Sequence, residues 1–325
     1  MKTIPAFADI EDAATRLAGA AVRTPLLESP VLNARCGGRV LIKADCLQRT
    51  GSFKFRGAWN RISRLDATHH KGGVVAYSSG NHAQGVAAAA QLKGLAAVIV
   101  MPADTPAIKI ANTRGFGAEV VLYDRATESR EEIAAGLVEK RGAVLVPPFD
   151  DPFIIAGQGT AGLEIAEQAK ARGLSLDAML VCCSGGGLTA GIALALEHLA
   201  PEAEIYSVEP EGFDDMARSL VSGKREVNTA TSGGFCDALL TPTPGELTFP
   251  INLPRLSGGF VVTDEEVRAA MRFAFRELKL VAEPGGAVAL AAALAGKLPL
   301  DGRVTGLIIS GGNADPEIFA RVLAA

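Results

Sequence analysis

The chain lacks any long hydrophobic run. Its longest apolar stretch, Ala287 to Ala295, is too short to cross a bilayer. The N-terminus, Met1-Lys2-Thr3-Ile4-Pro5, leads into an amphipathic stretch from Ile10 to Val22 without the unbroken apolar core of a signal peptide. The five cysteines are odd in number and form no CxxC pair. Cys182 and Cys183 end an apolar strand-like run, which marks them as buried free thiols. No block of one charge occurs either. The net charge is −4, the isoelectric point is near 5.7, and neither a basic patch nor a charged tail is present, so no nucleic-acid partner is expected. These absences predict a cytoplasmic protein with no membrane contact.

What remains is a pattern of apolar strands alternating with helices. At 325 residues with 36 glycines, the chain can bury a large core and turn tightly from strand to helix. Strands are expected at 74–78, 96–101, 119–123, 143–146, 178–183, 204–208 and 304–310. Helices are expected near 80–93, 105–116, 127–141, 155–172, 187–199, 264–279 and 285–296. Strands apolar on both faces between helices predict an α/β fold with parallel sheets. A block over 73–146 and a second set from about 151, divided by Pro147-Pro148-Phe149-Asp150-Asp151-Pro152, predict two parallel-sheet lobes with a ligand cleft between them.

Four segments can carry chemistry. Gly51-Ser52-Phe53-Lys54-Phe55-Arg56-Gly57 puts a lysine in a Gly/Ser-opened turn between two phenylalanines. Desolvation there lowers an ammonium's pKa and makes the amine a nucleophile or base. Ser184-Gly185-Gly186-Gly187-Leu188 follows a strand and opens a helix, a setting that gathers N–H groups on an anion. A phosphate cradle fits. So does a dinucleotide turn, with Glu209 about 20 residues on for a ribose, although its third glycine, Gly191, falls one residue late. Ser78-Ser79-Gly80-Asn81-His82 likewise opens a helix and can hold a carboxylate or merely cap. Ser310-Gly311-Gly312-Asn313 closes the last apolar strand.

Taken in order with Gly157-Gln158-Gly159-Thr160, these motifs resemble the pyridoxal-phosphate enzymes of fold type II, the tryptophan synthase beta-like group that holds serine/threonine dehydratases and serine racemases. The resemblance covers roughly residues 5 to 320. It implies a larger cofactor-binding lobe of 1–66 and 151–325, a smaller substrate-carboxylate lobe of 67–150, and a homodimer. It also implies that pyridoxal 5′-phosphate attaches to Lys54 beside Phe53 and that Asn81 bonds the 3′-oxygen. Ser184, Gly185, Gly186, Gly187 and Leu188 would hold the phosphate, with Ser310 at the ring nitrogen. A hydroxyl there cannot keep the nitrogen protonated, which favours β-elimination over transamination. The implied substrate is a small hydroxy amino acid, threonine or serine, whose carboxylate meets Ser78, Ser79, Asn81 and His82. Lys54 would remove the Cα proton.

Within the family the alternatives are a serine racemase, with Ser79 as a second catalytic group, and a 3-hydroxyaspartate dehydratase. The latter needs positive charge in the pocket that the sequence alone does not locate. Outside it stands a nucleotide-binding protein that is not an enzyme. Val208-Glu209-Pro210-Glu211-Gly212-Phe213-Asp214-Asp215 resembles the racemase metal loop. Glu209, the Phe213 carbonyl and Asp215 are then oxygen ligands suited to Mg²⁺ or Ca²⁺, unless the loop is simply a solvated acidic turn. Feedback-regulated threonine dehydratases continue into a regulatory domain, so inhibition through such a domain is not expected.

Overall fold

A computed structural model describes residues 3–105, 107–230 and 232–325. Helix α1 (Phe7–Leu17), β1 (Leu26–Glu28), α2 (Pro30–Cys36), β2 (Arg39–Ala44) and α3 (Lys54–Ile62) come first. The chain then builds β3 (Val74–Tyr77), α4 (Asn81–Lys93), β4 (Ala97–Pro102), α5 (Ala107–Gly115), β5 (Glu119–Tyr123), α6 (Arg130–Arg141) and β6 (Val144–Leu145). It continues through α7 (Pro152–Lys170), β7 (Ala178–Cys182), α8 (Gly187–Leu199), β8 (Glu204–Pro210), α9 (Asp215–Ser222) and α10 (Thr248–Asn252). Strand β9 (Gly258–Val262), α11 (Asp264–Phe273), α12 (Pro284–Leu294), β10 (Val304–Ile309) and α13 (Pro316–Ala324) complete it. Among the described residues no helix is long and apolar enough to cross a membrane.

Two sheets result, as the alternating pattern predicts. One runs β5-β4-β3-β6, parallel throughout; the other runs β1-β2-β10-β7-β8-β9, with only the β1–β2 pair antiparallel. Strands β7 and β4 are buried along their whole length, which is why they read as continuous apolar runs. Strands β1, β2 and β9 were not expected. Strand β2 carries Lys43 as its penultimate residue, and the lysine is fully buried. Its ammonium donates to the Glu164 carboxylate (2.6 Å), the Gln168 amide oxygen (2.9 Å) and the Thr24 carbonyl (2.7 Å). A buried charge satisfied this fully is tolerated inside a strand.

The lysine segment is a second departure. The turn ends at Ser52, which bridges to Gly311, and Lys54 opens helix α3. That helix meets α7 at Gly57 and Gly157, where a Cβ on Gly157 would lie 2.6 Å from the Gly57 Cα. The close approach fixes α3, and with it Lys54, against the long α7. Its apolar residues Phe55, Ala58 and Ile62 join the core beneath the four-stranded sheet.

Candidate active site

One cavity is lined by Phe53, Lys54, Ser78 to His82, Ser184 to Leu188 and Ser310. The four motif segments are thus brought together from distant parts of the chain. Two helices point their N-termini into this space. Helix α4 starts after Gly80 and α8 after Gly186, and neither has a side-chain cap. The N–H groups of their first turns remain available to anions, where the helix dipole also favours negative charge. Gly186 sits at φ +86°, and a Cβ there would lie 2.7 Å from the Asn252 amide nitrogen. At Gly185 a Cβ would meet the Phe149 ring at 2.6 Å. Close packing therefore admits only glycine at both positions, and the bare backbone beside the cavity offers its N–H groups in a way that fits a phosphate.

Lys54 donates to the Pro148 carbonyl at 2.9 Å and lies 5.1 Å from the centre of the Phe53 ring. Burial lowers its pKa to about 8, against smaller opposing effects from Cys182 and Glu283. The His82 ring bonds the Val146 carbonyl through Nε2 (2.9 Å), and burial, reinforced by the Lys54 charge, pushes it down to about 3. That ring is neutral, so the anion-binding group His82 offers is its main-chain N–H. Ser78 Oγ accepts from the Gly80 N–H at 3.2 Å. The Asn81 amide is held at both ends: Oδ1 accepts from Asn313 Nδ2 (2.7 Å), and Nδ2 donates to Glu283 Oε1 (2.5 Å). Ser184 Oγ donates to Thr241 Oγ1 at 2.6 Å. Buried Ser310 is tied by its carbonyl to the Phe53 N–H (2.9 Å).

Several lining groups were not foreseen. Glu283 lies 3% exposed in the cavity wall, its carboxyl raised to about 7 by burial and then by Asp237. An acidic residue directly before Pro284-Gly285-Gly286, at the start of an apolar helix, was the available signal. Pro148 and Phe149 lay in what reads as an inter-lobe break. Lys109, Arg125 and Arg130 bring positive charge to the cavity. Lys109 pairs with Asp237 (2.5 Å) and Arg125 with Asp104 (2.9 Å). Arg130 lies 5.1 Å from the centre of the Tyr77 ring and pairs with its exposed neighbour Glu131 (2.7 Å).

Glu209, Phe213 and Asp215 do not line this cavity. The Glu209 carboxylate accepts the N–H groups of Met216 (3.0 Å) and Ala217 (2.7 Å) in the first turn of α9. Glu209 is therefore not the acid that a ribose at the Gly185–Gly187 turn would need, and the dinucleotide reading loses its support. Nor is the loop a solvated acidic turn, because Glu209 and Asp215 are both buried. Asp215 Oδ1 accepts from Asn228 Nδ2 at 2.6 Å, while Oδ2 is buried without a partner. Burial and the neighbouring Asp215 charge drive the Glu209 carboxyl far up, and burial brings Asp215 to about 6. Among the described residues no cluster of three or more His, Cys, Asp or Glu side chains could hold an ion. A site here would consist of two carboxylates and a main-chain carbonyl.

Comparison with known proteins agrees with the geometry. Residues 17–311 match the family described as pyridoxal-phosphate dependent enzyme. An L-threo-3-hydroxyaspartate ammonia-lyase of a Pseudomonas species is 45% identical over 98% of this chain and 99% of its own length. The crystal structure of a threonine deaminase from T.th. superposes with a TM-score of 0.89 at 45% identity, covering 96% of this chain and 99% of that one. Maize serine racemase does so at 0.92 and 36% identity, covering 99% and 98%.

Proposed function

The chain belongs to the pyridoxal-phosphate dependent enzymes, and on that premise we propose that it performs β-elimination on a small β-hydroxy-α-amino acid. Loss of water is followed by hydrolysis to a 2-oxo acid and ammonia. The observation that carries this reading is a lysine of depressed pKa in one cavity with two uncapped helix N-termini. One N-terminus suits a phosphate and the other a carboxylate. When bound, pyridoxal phosphate draws electrons from the bonds at Cα. The start of α8 and Ser184 would hold its phosphate, and Ser310 would serve its ring nitrogen. Ser78, Ser79, Asn81 and the His82 N–H orient the substrate carboxylate, and Lys54 takes the Cα proton. The cofactor lobe is 1–66 with 151–325, and the carboxylate lobe is 67–150.

Arg130 decides the substrate. Lys109 and Arg125 are already paired, Arg125 through both Nε and Nη2 to Asp104, whereas Arg130 makes a single bond to Glu131. The two arginine pairs are about equally exposed, and each is worth roughly 0–1 kcal/mol. A second substrate carboxylate can displace the single Glu131 bond. L-threo-3-hydroxyaspartate is therefore the preferred substrate, giving oxaloacetate, with threonine and serine poorer. A panel of L-threonine, L-serine, D-serine and the hydroxyaspartate diastereomers, read for 2-oxo acid and chirality, tests this order. Arg130→Met should lower kcat/KM for hydroxyaspartate by about 10²-fold, the loss of a charge-assisted bidentate contact, and leave threonine within about threefold. Equal losses on both, or a wild type that prefers threonine, would discard the dicarboxylate assignment. Ser79 supports a second activity, since a further hydroxyl in the cavity could return a proton to Cα. Appearance of L-serine from D-serine is its readout.

Glu209, the Phe213 carbonyl and Asp215 form a site for Mg²⁺ or Ca²⁺ that stabilises the protein. The orphaned Asp215 oxygen supports it, because a cation would satisfy that lone pair and favour the ionised form of both buried carboxyls. An ion at a hundredfold excess over its Kd contributes about 2.7 kcal/mol. Chelation should lower Tm by several degrees, either ion should restore it, and Asp215→Ala should abolish the response. An unchanged wild-type Tm in chelator would leave only a buried acid pair.

A further inference from the structure

We propose that Thr248 and Asn252, both on helix α10, are positioning residues that aim the Gly186 and Gly187 N–H groups at the cofactor phosphate. The proposal rests on the cofactor reading above. Three consecutive glycines have no side chains to fix their peptide planes and lose much conformational entropy on ordering. Something outside the loop has to set them. Thr248 Oγ1 donates to the Gly185 carbonyl at 2.5 Å, joined by the Gly245 N–H at 3.2 Å. Asn252 Nδ2 donates to the Gly186 carbonyl at 3.1 Å, which also accepts the Ala190 N–H of α8 at 2.9 Å.

A trans peptide unit is planar, so its C=O and the following N–H point in opposite directions. Drawing the Gly185 carbonyl towards α10 turns the Gly186 N–H away from α10. The Gly186 carbonyl and Gly187 N–H behave alike. Thr248 and Asn252 are fully buried and do not line the cavity, whereas all three glycines do. Helix α10 therefore stands behind the cradle, and the N–H groups it turns away face the cavity. The helix is itself anchored: Asp150 Oδ1 accepts the Leu247 N–H at 2.8 Å and the Thr248 N–H at 3.3 Å. Asp150 follows Pro148, whose carbonyl holds Lys54, and Phe149, whose ring packs on Gly185 and whose Cβ and backbone lie against Gly187. One three-residue stretch thus braces both the lysine and the cradle.

The test compares two probes on the apo-protein, pyridoxal 5′-phosphate and pyridoxal, which lacks the phosphate. Thr248→Val and Asn252→Leu keep similar volume and remove the donors. Each should weaken pyridoxal-phosphate binding about tenfold, the scale of one lost hydrogen bond, while pyridoxal binding stays unchanged. The ³¹P resonance of the bound phosphate should shift, and kcat at saturating cofactor should stay within about threefold. Thr248→Ser keeps a hydroxyl donor and should retain wild-type selectivity, which separates loss of aim from loss of fold. Variants that bind both probes as the wild type does, or that lose both alike, overturn the positioning role. A wild type that fails to prefer the phosphorylated probe overturns the cofactor reading beneath it.

Discussion

Lys54→Ala is expected to lower turnover by at least about 10² to 10⁴, the contribution of a general base alone, and further because the cofactor loses its covalent anchor. Folding should survive. The Lys54 ammonium is held by the Pro148 carbonyl, and a pKa lowered to about 8 by burial shows that the folded protein accommodates its charge poorly. Alanine also suits the first residue of α3. The sign of the pH effect follows. With a folded pKa near 8 and an unfolded one near 10.4, the unfolded chain binds more protons across that window. Apo wild-type stability should therefore rise between about pH 8 and 10, through this residue, and Lys54→Ala should lack that component. At pH 7 the apo variant should melt no lower than the apo wild type. Turnover within tenfold of wild type at saturating substrate and cofactor would sink the assignment of Lys54 as base and anchor.

The parts of this site that the sequence displays are those encoded locally. A strand, a glycine or serine turn and a helix start can be read within a dozen residues, and parallel strands deliver such turns to a common cleft. Ser78–His82, Ser184–Leu188 and Ser310 follow that rule. Contacts that join remote segments leave no local period. Asn81 meets Glu283 across 202 residues and Lys54 meets Pro148 across 94, so neither partner stands out in its own neighbourhood. Pro147 to Pro152 reads as a break by composition. In the fold it supplies a carbonyl, a ring and a helix-capping carboxylate to the site. Strand β9 is hidden because Gly258 and Gly259 weaken strand propensity, and Gly259 is demanded by Ala217, whose Cβ would lie 2.7 Å from an added Cβ. Helix α3 reads as a turn for a similar reason. Gly57 costs helix propensity but is needed where α7 crosses.

Arg56→Met is expected to destabilise the protein by about 3–5 kcal/mol, the cost of removing one partner from a buried charge network. Arg56 is fully buried two residues beyond Lys54. Its guanidinium reaches Asp45 through Nε (2.7 Å) and Nη2 (2.9 Å), and Glu164 through Nη1 (2.7 Å) and Nη2 (3.0 Å). Lys43 also bonds Glu164, so two cations balance two carboxylates. The network ties β2 and the turn after it to α3 and α7, the same helices that seat Lys54. Methionine can fill the volume, but the carboxylates then outnumber the cations by one in a place water does not reach. Without the guanidinium that holds it down, the Asp45 carboxyl should titrate higher, so the folded variant would bind a proton that the unfolded chain releases. The deficit should accordingly be smaller near pH 5 than near pH 8. Glu164→Gln in the same chain restores the charge balance, and the double variant should lose clearly less than the sum of the two single losses. Denaturant unfolding of the apo-protein at both pH values measures all three quantities. A single-variant loss below about 1 kcal/mol, or strict additivity, would mean that the network does not hold the lysine's helix in place.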